Sequence, residues 1–342
     1  MDKAAGRATI AGRTSQIVGP DVILGGGGFA ADTAPTGCLV AVPDNSGGWV
    51  VADSLTEAAR TLKHTEGLEF DFLESISGVD NTEDLIHLGI RAEELGYNSI
   101  WVNHHVLHVG YVKDRLGTRP YQDALTILTW IAARTKTIKL GTSVLVMPYL
   151  HPMVLAKQIA TLDQLSNGRL IVGLGAGSLP DENARLGVPY ETRGSYCDEF
   201  IQVMKALWTD DEANFSGNYF DFDKLCSSPK PMQQPHPPVV VGGNRPPALR
   251  RAARYCDGWQ PMNVSPDGVF RRMEILRQEA AQAGREPIPN LVQVRLGMER
   301  VNPESASEYQ AAGVTDLVMH VLSSNTKIQQ QDMERFAHEM FH

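Results

Sequence analysis

From Leu68 onward, short runs rich in β-branched and aromatic residues alternate eight times with segments of helical periodicity. That order demands parallel strands, because each helix carries the chain back to the edge where the last strand began. The strands read as LEFDFLES, NSIWV, TIKLGTSVLV, RLIVGLG, PPVVVGG, DGWQPM, NLVQVRLGM and VTDLVMHV. In the first helix Leu85, Leu88, Ala92 and Leu95 form the apolar stripe, Asn81 and Asp84 suit its N-terminus, and Gly96 closes it. The returning turns, such as ELGYNS, RTKTIK, SNGR and AAGVTD, are short. Eight such units predict an α/β fold, a (β/α)8 TIM barrel; an open doubly wound sheet would share the periodicity.

The stretch from Met153 to Ser178 shows one unit in full. Leu155, Ile159, Leu162 and Leu165 recur at helical spacing, Gly168 supplies a left-handed stop, and Leu170 to Leu174 is a buried-strand run. The loop that follows carries Gly173, Gly175 and Gly177, placed where a backbone turns sharply or approaches something closely. GLGAGS and VGGNR, on neighbouring loops of a barrel, can present backbone N–H groups to a phosphate-bearing ligand, with Arg185 or Arg193 supplying charge.

Reactive groups of a barrel follow its strands. WVNHHVLHVGY sets His104, His105 and His108 after the second strand, where an imidazole can move a proton near neutral pH. The same three histidines leave open a metal-dependent hydrolase. The third strand ends in GTSVLVMPYLHP, a wall with almost nothing ionisable that suits a flat apolar ligand. No GxSxG elbow, Walker loop or kinase signature occurs, so the hard chemistry belongs to a bound cofactor.

A net charge of -9 argues against nucleic acid and anionic membrane as partners. Cys38, Cys197, Cys226 and Cys256 form no CxxC pair and read as buried packing thiols in a reducing cytoplasm. No apolar run of bilayer-spanning length and no signal-peptide centre is visible, which predicts a soluble protein. Residues 1–66 read as a separate N-terminal extension ahead of a barrel domain at 67–342. In it CLVAV and WVVAD suggest a hairpin, SLTEAARTLKH a helix, and Gly25 to Gly28 a turn.

RAEELGYNSIWVNHH, IKLGTSVLVMPYLHPMVLAKQIATLDQLSNGRLIVGLGAGS, LGVPYETRG and PPVVVGGNRPPALRRAARYCDGW occur in this order. In these stretches the chain resembles the bacterial luciferase-like monooxygenases, flavin- or deazaflavin-dependent TIM-barrel oxidoreductases, and within them the F420-dependent branch. The resemblance is strong over 68–259 and looser beyond. It implies coenzyme F420 or FMN, a small-molecule substrate that receives hydride or is oxygenated, a homodimer, and a separate reductase supplying reduced cofactor. His105 matches the active-site histidine, although His104 stands where the family has an acidic residue. Ser143 and Val144 match a non-prolyl cis peptide whose bulge lies behind the tricyclic ring. Ala176, Gly177, Ser178, Gly243 and Asn244 match positions around the cofactor. Ser178 stands where F420-dependent sugar dehydrogenases carry a glutamate proton donor, which argues against that activity. A flavin-binding protein without turnover is the alternative that shares the fold. The extension has no counterpart in this resemblance and is expected to cover the barrel mouth or a subunit interface.

Overall fold

The computed structural model describes residues 22–24, 39–43, 49–52, 67–73, 78–285 and 291–341. Strands β1 (Val22–Leu24), β2 (Leu39–Pro43) and β3 (Trp49–Ala52) form a small sheet, with β1 parallel to β2 and β2 antiparallel to β3. The β2–β3 pair is the hairpin expected from CLVAV and WVVAD. The helix expected over 54–64, the turn at Gly25 to Gly28, and Cys38 lie outside the described residues.

The barrel is built from β4 (Glu69–Leu73), β5 (Ser99–Val102), β6 (Lys139–Thr142), β8 (Leu170–Gly175), β11 (Val239–Gly242), β12 (Gly258–Gln260), β13 (Leu291–Gly297) and β14 (Asp316–His320). A two-residue strand, β7 (Leu145–Val146), continues β6 beyond a bulge, and β9 (Ala213–Ser216) with β10 (Asp221–Leu225) makes a separate antiparallel hairpin. All barrel pairs are parallel, and β14 returns to β4 with Leu317 opposite Phe70. That last pairing decides between a closed barrel and an open sheet.

Ten helices occur among the described residues: α1 (Thr82–Leu95), α2 (Gly110–Leu116), α3 (Ala124–Arg134), α4 (Pro152–Leu165), α5 (Pro180–Arg185), α6 (Arg193–Thr209), α7 (Pro246–Tyr255), α8 (Pro266–Gln282), α9 (Pro303–Ala311) and α10 (Thr326–Phe341). The Asn81 side chain accepts from Glu83 N at the start of α1, and Gly96 takes φ 88° at its end. Leu85, Leu88 and Ala92 face the core, with Leu95 half-buried against it. Strand alternation separates two apolar layers: Phe70 and Phe72 pack outward beneath the helices, whereas Leu73, Trp101, Ile171, Val240 and Val318 meet inside the barrel. Gly141 admits the Trp101 indole, since a Cβ there would lie 2.2 Å from the ring.

Several expectations need correction. Leu165 is not part of the buried stripe of α4 but 67% exposed, because the last turn buries Leu162 and Asp163 instead. The Asp163 carboxylate accepts from Gln233 N and Nε2, tying α4 to the chain that leads into β11. Cys197 and Cys256 are buried, each thiol pushed up to about 12 by burial, but Cys226 is exposed just beyond the surface hairpin. The short helices α2 and α5 are additions to the eight-unit pattern. Both bear on the site.

Candidate active site

The third strand is broken by a cis peptide between Ser143 and Val144. Gly141 faces Ile171 and Leu145 faces Leu174, so β6–β7 spends four steps where β8 spends three. Across the gap the Thr142 hydroxyl replaces the ladder, donating to Gly173 O at 2.8 Å and accepting from Gly173 N at 2.9 Å. A Cβ on Gly173 would lie 1.7 Å from Thr142 O; on Gly175 it would meet Val144 Cγ2 at 2.4 Å, and on Gly242 it would meet Val144 Cγ1 at 2.9 Å. Gly173 and Gly175 stand, from sequence, where a backbone turns sharply or approaches something closely. What they approach is the neighbouring strand, and they make room for its bulge.

Ser143 is buried: its N–H donates to Val102 O (2.7 Å), its hydroxyl donates to Gln260 Oε1 (2.7 Å), and its carbonyl accepts from Arg295 Nη1 (3.0 Å). Val144 is only half-buried, so it is the more accessible residue of the bulge.

His105 leaves the end of β5 with its side chain 16% exposed, and its Nδ1 lies 3.0 Å from Glu182 Oε2. Glu182 comes from α5, on the loop after the fourth barrel strand, and its side chain is fully buried. Its Oε1 accepts from Val106 N (2.7 Å) and Leu107 N (3.0 Å). Burial alone would raise the Glu182 carboxyl, but the bonds from His105, Leu107 and Val106 outweigh it and hold the pKa below the ordinary range. An ionised Glu182 fixes the proton of His105 on Nδ1 and leaves Nε2 for a ligand. The acidic partner that His104 does not provide thus arrives from residue 182. Tyr149 Oη donates to Asn183 Oδ1 at 3.0 Å and lies 3.3 Å from Glu182 Oε2, joining this pair to the short 3-10 turn Met147–Tyr149 after the bulge.

The other two histidines go elsewhere. His104 is buried and its Nδ1 accepts from Val146 N at 3.1 Å, so it braces β7; burial lowers its pKa and keeps it neutral. His108 Nδ1 pairs with Gly117 O at 3.1 Å. The three rings do not converge, and among the described residues no cluster of three or more metal-ligating side chains occurs.

Ala176, Gly177 and Ser178 form the loop between β8 and α5, with Gly177 at φ 75°. A Cβ there would lie 2.9 Å from Val146 Cγ1, so the loop lies against the strand beyond the bulge. Arg193 Nε donates to Gly177 O at 3.3 Å, and its guanidinium stacks 3.5 Å over Tyr190; Arg185 sits farther out, lining a cavity of about 480 Å³ with His108, Lys113 and Asp181. On the next loop Gly243 adopts φ 129° ahead of α7, whose N-cap residue Arg245 makes no side-chain cap. The Asn244 side chain is occupied, exchanging bonds with Met262 N (2.9 Å) and O (2.8 Å), and its carbonyl accepts from Arg272 Nε at 3.3 Å. A flat bulge, a left-handed glycine on each flanking loop and an uncapped helix start suit a planar cofactor with a phosphate.

Two residues escaped the sequence reading: Glu182, and Arg295 on β13. Arg295 stands among Gln293 and Gly297 on the inward alternate positions of an otherwise apolar strand, and that period-two interruption is the signal that could have found it.

Residues 68–336 match the family described as luciferase-like monooxygenase. The chain belongs to that family. It is 30% identical over 272 residues to the F420-dependent glucose-6-phosphate dehydrogenase of Amycolatopsis mediterranei (strain U-32), covering 75% of this chain and 77% of the relative. It is 31% identical over 171 residues to the FMNH2-dependent dimethylsulfone monooxygenase of Pseudomonas putida, covering 49% of this chain and 47% of that protein. In structure it is similar to an F420-dependent secondary alcohol dehydrogenase in complex with an F420–acetone adduct, with a TM-score of 0.67 at 19% identity over 80% of this chain and 98% of the other. The family and the barrel expected from the sequence are both shown, and the chain is an oxidoreductase of that family.

Proposed function

We propose that the chain is an F420- or FMN-dependent oxidoreductase in which His105, held by Glu182, handles the proton of a small organic substrate. The observation that carries this reading is the His105–Glu182 pair at 3.0 Å beside the Ser143–Val144 bulge. The cofactor, when bound, supplies the hydride or the oxygen chemistry. Val144 and the Ser143 peptide hold its ring, and the backbones of Ala176, Gly177, Ser178, Gly243 and Asn244 hold its phosphate end. His105 Nε2 then accepts a proton from a substrate hydroxyl or returns one to a forming alkoxide, and the buried carboxylate stabilises the imidazolium meanwhile. Ser178 offers no carboxylate, so oxidation of a sugar phosphate is not the reading. The three separately engaged histidines likewise favour this chemistry over metal-dependent hydrolysis.

The same proposal includes a cytoplasmic homodimer fed by a separate reductase, supported by the family resemblance. Among the described residues no helix is long and apolar enough to cross a membrane. Residues 1–66 are proposed to cover the mouth or the subunit interface; a truncated chain starting at 67 with unchanged cofactor affinity, turnover and mass in solution would refute that. The deciding experiment titrates the apoprotein with FMN and with F420, then follows oxygen uptake by the reduced complex. Binding of one cofactor is expected, with turnover separating an enzyme from a mere flavin carrier; binding of neither sinks the reading.

A further inference from the structure

At the mouth, Arg295 reaches from β13 across the barrel to the bulge, where Nη1 donates to Ser143 O at 3.0 Å and lies 3.5 Å from Ser143 Oγ. Its Nε is buried without a hydrogen-bond partner. The groups that act on it electrostatically are Tyr121, Arg115 and Tyr111, and it in turn acts on His320; no carboxylate of the described residues pairs with it. Burial pushes the Arg295 guanidinium down to about 10, and burial together with the neighbouring arginines pushes His320 down to about 4. Near neutral pH the mouth therefore holds a cationic arginine beside a neutral imidazole. Tyr121 Oη and His320 Nδ1 are, like Arg295 Nε, buried with no partner. The Tyr121 ring also meets His105 edge-on at 5.6 Å, which sets this group of polar atoms next to the proton-handling histidine.

A half-buried cation whose buried Nε has no partner is costly unless an anion completes it. The guanidinium fork matches the two oxygens of a carboxylate, and the tyrosine hydroxyl adds a third donor. The proposed phosphate cradle lies on other loops, at Gly177 and Gly243. We propose that Arg295, with Tyr121 and His320 beside it, receives the carboxylate of an organic-acid substrate and so presents that substrate to His105. This rests on the function proposed above, but its test does not require turnover.

The test measures acetate and benzoate binding to the full chain by calorimetry and thermal shift at constant ionic strength, with benzamide as the neutral counterpart. Wild type is expected to bind a carboxylate in preference to benzamide. Arg295→Met should weaken that binding about tenfold or more, and Arg295→Lys, which keeps the charge and loses the fork, by a smaller factor. FMN and F420, oxidised and reduced, are titrated against the same proteins. Retained cofactor binding with no carboxylate binding in wild type overturns this inference and leaves the proposed function standing. So does an unchanged benzoate affinity in Arg295→Met, or a loss confined to the reduced cofactor, which would make the cofactor ring the anion. Should Arg295→Met fail to fold, an Arg295→Lys protein that binds benzoate as tightly as wild type overturns it equally.

Discussion

The barrel carries polar side chains inside at both ends, on alternate residues of the same strands, and the two ends treat charge in opposite ways. Strand β14 shows both: Asp316 lies at the floor, Val318 in the apolar middle, and His320 at the mouth. At the floor Asp71 is fully buried, accepts from Asn98 Nδ2 at 3.2 Å, and has one carboxylate oxygen without a partner. Burial, and then the neighbouring Asp316, push its carboxyl well above the usual range. The floor thus sheds its charge by keeping a proton. The mouth keeps its charge, because an arginine cannot shed it and His105 is held against an ionised Glu182. The floor holds an acid neutralised by burial, whereas the mouth holds a half-buried cation whose Nε has no partner.

The sharpest way to break this contrast is at the mouth. His105→Ala should lower turnover by about 10²–10⁴, equivalent to about 3–5 kcal/mol of barrier, while leaving cofactor affinity near wild type. A variant that turns over normally would show that the Glu182 pair only holds the loop. Glu182→Gln should shift the pH profile of turnover as well as its rate, since a neutral amide no longer stabilises the imidazolium.

A smaller effect is expected behind the bulge. Gly173→Ala places its Cβ 1.7 Å from a backbone oxygen that has nowhere to go, and the strands must part by more than an ångström. The expected destabilisation is about 3 kcal/mol, read as a fall in urea midpoint at unchanged slope, together with weaker cofactor binding. Unaltered stability would mean that the bulge is not seated as described.

The floor should respond in the opposite sense. Native Asp71 keeps its proton at a pH where the unfolded chain has lost it, so the native state binds more protons and stability falls as pH rises from about 4 toward the raised native pKa. Asp71→Asn retains the acceptor for Asn98 and removes that slope. At pH 8 it should be more stable than wild type by on the order of 1 kcal/mol, with turnover unaffected. Parallel pH–stability curves for the two proteins would refute the assignment.

Much of this was legible from residues alone, and what was not has a common cause. Period and turn chemistry act over a few residues, so the eight strands, the Asn81 and Gly96 caps and the left-handed Gly168 could be read directly. Glycine at 173, 175 and 177 could be read as close approach, but not the identity of the approaching group, because that depends on a strand thirty residues away in the chain. Glu182 reaches His105 across a sequence separation of 77, and Arg295 reaches Ser143 across 152. Spacing within a motif says nothing about either. Pro180 with Asp181 and Glu182 carries a helix-start signal, but six residues are too few for helical periodicity to support it.

Leu165 gives the smallest predicted effect and tests whether periodicity alone assigns burial. It sits at helical spacing from three core residues, yet Asp163 occupies the inward position of the last turn of α4 and Leu165 is left two-thirds exposed. Leu165→Ser should therefore change stability by no more than about 0.5 kcal/mol, against the 2–5 kcal/mol typical of truncating a buried leucine. Trp130 on α3 and Val154 on α4 are exposed as well, so the measurement is made across protein concentrations. A loss that depends on concentration would place Leu165 in a contact between subunits, because such a contact adds stability by mass action. A loss independent of concentration and near the buried-leucine range would mean instead that the last turn of α4 packs inward after all.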